Sequence, residues 1–159
     1  GFIFGDTIAN NIVPDGNMID KKRLLYAVEM ANIRDFVESL PLKYNTKIGN
    51  TGQGLSQEQK QRILIARAIY RNPDYLFFDE ATNALDTDNE KVIQGNLEKF
   101  FKDKTVVIVA HRLSTVKQCD QILVMEHGTV VERGTHSDLL KEKKGYADLW
   151  LQQNDAVAA

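Results

Sequence analysis

Two adjacent carboxylates, Asp79 and Glu80, follow a short apolar run near the middle of the chain. An unbroken apolar run, here residues 75–78, is typical of a strand that is covered on both faces of a parallel sheet. Ligand sites of open parallel sheets lie at the carboxyl edge of the strands, so an acid pair at that edge is a candidate functional site. The structural alternative is that Asp79 caps a helix and Glu80 is a solvated neighbour.

A histidine, His111, closes a second predicted strand at residues 105–110, whose centre is β-branched. Between the two runs, residues 87–101 carry apolar side chains on one side and charged side chains on the other, which predicts a helix. A strand, a helix and a strand of these lengths form a βαβ unit with parallel strands and a right-handed crossover. We therefore expect His111 at the same sheet edge as Asp79 and Glu80, although a lone histidine after a strand is more often structural.

The helix that leads into the first strand has a defined start and end in the sequence. Ser56 followed by Gln59 is a capping-box pattern, which predicts that the helix begins at Gln57. Residues 63–69 are apolar almost all round the helix, as expected for a helix that is packed on more than one side. Pro73 cannot continue the hydrogen-bond ladder and disfavours helical backbone at the preceding residue, so the helix is expected to end there.

The start of the chain is predicted to form a small helical unit. Asp6 can cap a short helix over residues 7–11. The helical spacing of apolar residues predicts a second helix from Asp20 and a third around Phe36.

The end of the chain is predicted to form a hairpin and a helix. Residues 121–125 and 129–132 read as two antiparallel strands, and Thr135 fits the cap of a final helix. His127 in the turn and His136 at the helix start are both expected to be solvated.

Composition and charge exclude several classes of function. The net charge is −2, which gives no electrostatic reason to bind nucleic acid. The lone cysteine, Cys119, cannot form an internal disulfide, so a reducing compartment is expected. No apolar run approaches the roughly eighteen residues of a membrane span, so any membrane role would belong to another segment or chain.

Taken together, these motifs resemble the second half of the nucleotide-binding domain of ATP-binding cassette (ABC) proteins. The resemblance covers essentially the whole chain; each motif alone is weak, but together and in register they are specific. The signature loop corresponds to Leu55-Ser56-Gln57-Glu58-Gln59, and the Walker B strand with the residue after it corresponds to Leu76-Phe77-Phe78-Asp79-Glu80. The D-loop corresponds to Asn83-Ala84-Leu85-Asp86, and the switch histidine lies in Ala110-His111-Arg112. Residues 132–136, 139–140 and 145–146 are similar to the tails of exporters, and residues 2–8 to the segment after the glutamine loop.

This resemblance implies an α/β fold, with a partial P-loop NTPase (RecA-like) core of parallel strands, a small helical subdomain, and a C-terminal β-hairpin and helix. Residues 1–54 would form the helical subdomain. Residues 55–159 would hold the signature helix, Walker B, D-loop, switch-histidine strand and C-terminal part of the same domain. Such a domain pairs with a second nucleotide-binding domain at the cytoplasmic face of the cell membrane, with transmembrane domains fused upstream or on a partner chain.

The same resemblance implies ATP and Mg²⁺ as cofactors and assigns roles to individual residues. Asp79 would support Mg²⁺, usually through water, while Glu80 would be the general base and His111 would contact the γ-phosphate. Residues 55–59 and Asp86 would bind nucleotide. In the family the signature loop completes the site of the opposite subunit, offering Ser56 and helix N-terminal amides to its γ-phosphate.

The first departure from the family pattern is an absence. The sequence contains no Gly-x-x-x-x-Gly-Lys-Ser/Thr phosphate loop, no adenine-stacking aromatic and no loop glutamine. The family places all three upstream of the matched residues, so the chain is expected to be a C-terminal piece of a longer protein and inactive alone. It is also expected to leave apolar surface uncovered and to associate with a second copy.

The second departure lies in the signature, where Gln57 and Glu58 replace glycines. A carboxylate in a first helical turn gains about 0.3–1 kcal/mol from the helix dipole. Facing a phosphate charge at about 5 Å, with an effective dielectric constant of about 20, it would lose roughly 3 kcal/mol. Either Glu58 turns away from the nucleotide, or the site that this loop completes is weakened. The intact Ser56 and Gln59 favour the first alternative.

The function that the resemblance implies is part of the ATP-binding and ATP-hydrolysing domain of an export transporter. The alternative is a degenerate nucleotide-sensing half-site with little turnover of its own, which Glu58 favours and the intact Glu80 and His111 oppose. Cassette ATPases of chromosome maintenance are disfavoured, because residues 5–54 leave no room for a long coiled-coil arm and no basic face is visible. The transported substrate is not encoded in these residues.

Overall fold

The computed structural model describes residues 1–13, 18–49, 54–79, 87–110 and 113–155. The chain divides into two compact units, Gly1–Val107 and Ile108–Ala159, which are described separately. The predicted subdomain boundary between residues 54 and 55 stays a prediction.

The first unit is mainly helical. It contains helices α1 to α5 and a short parallel sheet, and the second strand of that sheet reaches the boundary between the units. The elements in chain order are α1 (Ile8–Ile12), α2 (Lys21–Met30), α3 (Arg34–Ser39), a 3-10 turn (Lys43–Asn45), α4 (Gln57–Arg71), β1 (Tyr75–Asp79), α5 (Thr87–Phe101) and β2 (Thr105–Val109).

The limits of α4 follow the local signals in the sequence. The Gln59 amide N–H donates to Ser56 Oγ at 3.1 Å, and the Gln59 side chain accepts from the Ser56 N–H at 3.0 Å, so the predicted capping box is present. The helix ends at Arg71, and Asn72 takes the left-handed conformation immediately before Pro73. The predicted start at Gln57 and the predicted end before Pro73 are both confirmed.

The cap of α1 differs from the prediction. Thr7, not Asp6, is the N-cap residue, and its hydroxyl accepts from the Asn10 N–H at 3.1 Å. Asp6 is the residue before the cap, and its carbonyl accepts from the Ile48 N–H at 2.9 Å as part of the bridge between Thr7 and Lys47. The Asp6 carboxylate instead accepts from the Thr7 N–H at 2.6 Å, just outside the helix.

The two strands of the first sheet are parallel and are connected through α5, as predicted. The Thr105 N–H, at the start of β2, donates to the carbonyl of Asp74, just before β1, at 2.9 Å. On the covered face, Leu76 is 5% exposed and the Phe78 ring lies 5.1 Å from the ring of Phe101.

The opposite face of β1 is open, which corrects the expectation of a strand covered on both faces. Tyr75 is 70% exposed and Phe77 is 79% exposed. Within the part of the chain that the structure describes, helices cover only the face that carries Leu76. The prediction of uncovered apolar surface is therefore confirmed, whereas association with a second copy stays a prediction.

The core of the first unit lies between α1, α2 and α4, with α5 and the covered face of the sheet against them. Apolar side chains from five helices are at most 1% exposed: Ile8, Ile12, Val28, Val37, Ile63 and Ile93. The side chains buried on α4 are Ile63, Ile65, Ala66, Ile69 and Tyr70, as expected for a helix packed on more than one side.

The second unit contains a short helix, an antiparallel hairpin and two further helices. They are α6 (Leu113–Val116), β3 (Ile122–Glu126), β4 (Thr129–Gly134), α7 (His136–Glu142) and α8 (Gly145–Asp155). His127 and Gly128 form the hairpin turn, both with positive φ, which is the geometry that suits a two-residue connection. Thr135 caps α7 as predicted, accepting from the Asp138 N–H at 3.3 Å.

Of the two histidines in this unit that were expected to be solvated, only His127 is exposed. His136 Nδ1 lies 2.8 Å from the hydroxyl of Tyr146, and its ring centroid lies 4.4 Å from that of Trp150. Tyr146 is 1% exposed, and burial raises the pKa of its hydroxyl, which needs a hydrogen-bond partner. The prediction for His136 was wrong because α8 brings both rings onto it.

None of the helices in the described ranges is both long enough and apolar enough to cross a membrane.

Candidate functional site

The candidate site begins at the N-terminus of α4. Ser56 and Gln57 are exposed there, while Leu55 is half-buried against the core of the first unit. The capping box fixes the direction of the Ser56 hydroxyl and of the first backbone amides. A capped and exposed helix start of this kind suits an anion such as a phosphate, because the N-terminal end of the helix dipole is positive.

The side chain of Glu58 is directed along α4 rather than beyond its start. Its carboxylate forms a salt bridge with Arg62, one turn further along the helix. The Arg62 guanidinium also donates through a second nitrogen to the carbonyl of Asn32 at 2.6 Å, between α2 and α3. This is the arrangement expected from the alternative in which Glu58 turns away from the nucleotide.

Asp79 is the exposed last residue of β1, and it lines the same groove as the start of α4. The groove has a volume of about 960 Å³, is lined only by residues of the first unit, and includes Leu55 and Gln57 in its lining. Asp79 does not cap α5, which begins at Thr87. An exposed carboxylate at the end of a parallel strand is a hard oxygen ligand, so Asp79 fits the role of supporting Mg²⁺ directly or through water.

Three predicted site residues, Glu80, Asp86 and His111, lie outside the described residues. The predicted meeting of Asp79, Glu80 and His111 at one sheet edge therefore stays a prediction. What the structure does bring together along one groove is Asp79 with Leu55 and Gln57 of the signature.

A buried polar network that the sequence reasoning did not single out ties the first residues of the chain to α4. Asn11 is 1% exposed, and its Oδ1 accepts from the Phe4 N–H at 2.8 Å and from the Arg67 guanidinium at 3.2 Å. Arg67 also donates to the carbonyl of Phe2 at 2.9 Å, and burial lowers the pKa of its guanidinium. The available signal was an asparagine on the apolar face of α1, between Ile8 and Ile12.

Replacing Ser56 by alanine should lower the free energy of unfolding by about 1 kcal/mol, because the amide of Gln59 loses its cap. Urea denaturation of the chain measures this change. The matched control is Ser39→Ala at the end of α3, where the hydroxyl donates to a carbonyl at 2.7 Å and caps no amide. An equal loss for both variants would contradict the capping role.

This chain is similar to known proteins in both sequence and fold. A model of the family described as "ABC transporter" matches residues 5–83. Multidrug resistance protein 4 of Entamoeba histolytica is 45% identical over 158 residues, which is 98% of this chain and 12% of that protein. The ATP-dependent lipid A-core flippase of Photobacterium profundum is 47% identical over 148 residues, covering 92% of this chain and 25% of the flippase.

Among solved structures, a bacterial Atm1-family ABC exporter with ATP bound matches with a TM-score of 0.86 and 41% identity. The match covers 95% of this chain and 26% of the exporter chain. The fold and these sequence matches thus define part of an ABC nucleotide-binding domain. The chain belongs to the ABC transporter family, and within it to the exporter type. It spans at most about a quarter of the length of these relatives.

Proposed function

We propose that this chain supplies the signature, Walker B, D-loop and switch-histidine part of an ATPase that drives export across a membrane. The observation that carries the proposal is the capped, exposed start of α4, within a fold that superposes on an ATP-bound exporter and has the Asp79 carboxylate exposed at the end of β1. ATP is the substrate, and Asp79 would hold a Mg²⁺ ion whose chemistry is to supply positive charge to the phosphates.

The residues of this chain divide into two groups by role. Asp79 holds Mg²⁺, usually through water, Glu80 orients the attacking water and accepts its proton, and His111 contacts the γ-phosphate. Leu55, Ser56, Gln57, Gln59 and Asp86, with the backbone of Glu58, bind the nucleotide that is held mainly by a partner. A hydroxyl and helix N-terminal amides offered to a phosphate stabilise negative charge without any proton transfer.

The partner is a second nucleotide-binding domain, because a signature loop at a helix start completes a site only when another domain presents a phosphate to it. Transmembrane domains, fused upstream or on a partner chain, would place the ATPase at the cytoplasmic face of the cell membrane. The salt bridge between Glu58 and Arg62 favours this active function over the degenerate nucleotide-sensing half-site, since the carboxylate is not directed at the phosphate position.

The test compares Mg²⁺-dependent phosphate release from ATP by the full-length transporter and by residues 1–159 alone. We expect turnover by the transporter and none above buffer by the chain alone, because the sequence has no phosphate loop. Turnover by the chain alone would refute its predicted inactivity. A full-length transporter that binds ATP without turnover would instead support the nucleotide-sensing alternative.

A further inference from the structure

Arg62 connects the first turn of the signature helix to the junction of α2 and α3. One guanidinium nitrogen contacts the Glu58 carboxylate and another donates to the Asn32 carbonyl. The Arg62 side chain is only 12% exposed, and that of Glu58 is 28% exposed. The Nε atom of Arg62 is buried without a hydrogen-bond partner in the described part of the chain. The cation is therefore largely desolvated and depends on the Glu58 carboxylate for its charge balance.

This dependence distinguishes the pair from an ordinary surface ion pair. The chain has a second Arg–Glu pair with the same spacing on α3, Arg34 with Glu38 at 2.8 Å, but those side chains are 48% and 39% exposed. Exposed pairs of that kind contribute little, since water screens both charges. The partly buried pair on α4 instead restrains the helix start, because moving Glu58 leaves the largely buried Arg62 cation uncompensated.

We propose that Glu58 is a positioning residue that acts through Arg62. It fixes the start of α4 against the residues between α2 and α3, so that Ser56 and the first-turn amides keep their direction although the signature lacks its glycines. Arg62 in turn holds the Glu58 carboxylate away from the phosphate. This inference rests on the proposed function, and it assigns a favourable role to the residue that on charge alone would weaken the site.

The proposal predicts the sign of each effect on ATP turnover by the full-length transporter. Glu58→Gln should lower kcat roughly three- to tenfold with a smaller change in KM, because the helix start loses its restraint. Arg62→Gln should cost more, roughly 10- to 100-fold, since it also frees the Glu58 carboxylate to face phosphate. The double variant should then recover at least about threefold over Arg62→Gln, because the freed carboxylate is gone. Arg34→Gln and Glu38→Gln are the matched controls and should leave turnover unchanged.

Hydrogen–deuterium exchange of the same full-length variants provides a readout that does not require turnover. Glu58→Gln should speed amide exchange in peptides covering residues 30–34 as well as residues 57–62, because the pair joins the two segments.

A rise in kcat or a fall in KM for Glu58→Gln would overturn the proposal, as would independent, multiplicative effects of the two substitutions. If the wild-type transporter hydrolyses no ATP, the proposed function fails. In that case the exchange measurement still tests the inference. Unchanged exchange at residues 30–34 in Glu58→Gln would overturn the coupling between the two segments, and faster exchange there would support it.

Discussion

Glu80→Gln in the full-length transporter is expected to reduce ATP hydrolysis by on the order of 10²- to 10⁴-fold, the usual cost of removing a positioned general base. Glutamine keeps the size of the side chain and can still accept a hydrogen bond from water, but it cannot take the proton. Binding of ATP should therefore persist while turnover is lost. Phosphate release under single-turnover conditions, together with the ATP dissociation constant, separates the two effects.

The matched control for this experiment is Glu98→Gln, which changes an exposed glutamate on α5 that is not among the predicted site residues. It should leave turnover and ATP affinity unchanged. Steady-state phosphate release at a near-normal rate in Glu80→Gln would contradict the assignment of Glu80 as the base. Equal losses of ATP binding and of turnover would show instead that Glu80 acts in binding.

The second large effect is expected on stability, at Asn11. Its side-chain amide accepts from the Phe4 N–H and donates to the carbonyls of Phe4 and Thr7 at 3.0 Å each, all at a position that is 1% exposed. Asn11→Ala removes these bonds together, so the Phe4 N–H and one Arg67 nitrogen lose their acceptor, whereas both carbonyls keep a backbone donor. We expect the free energy of unfolding to fall by about 2–4 kcal/mol, measured by urea denaturation of the chain.

Asn10→Ala is the control for Asn11→Ala. The Asn10 side chain is exposed and donates to the Asp6 carboxylate at 3.1 Å, so its removal should cost less than about 0.5 kcal/mol. Comparable losses for the two variants would show that the buried network around Asn11 does not contribute its expected share. A loss confined to Asn11→Ala would confirm that the network holds the first residues of the chain on α4.

Signals that act over a few residues predicted the elements well. The capping box of Ser56 and Gln59 and the break at Pro73 set both ends of α4, because caps and proline act through backbone groups within one turn. The order of β1, α5 and β2 was also predictable, since periodicity and length identify each element and the connection determines that the strands are parallel.

Choices between neighbouring polar residues depended on distant partners. Asp6 and Thr7 are both good caps, and the strand-like pairing of Thr7 with Lys47 decided in favour of Thr7. The environment of His136 was unpredictable for the same reason, because its partners Tyr146 and Trp150 reach it only once α8 folds back. In both cases the deciding contact lies further along the chain than any local pattern extends.

The sequence by itself determined the family, the order of motifs, and the residue types available for nucleotide chemistry, because these depend on identity and spacing alone. Only the tertiary structure decided where the charge of Glu58 goes. The choice between facing the phosphate and facing Arg62 depended on whether the guanidinium would be buried and anchored to Asn32, and burial arises only when α2, α3 and α4 pack together. The open face of β1 has the same origin, since the coverage of a strand depends on which elements pack against it.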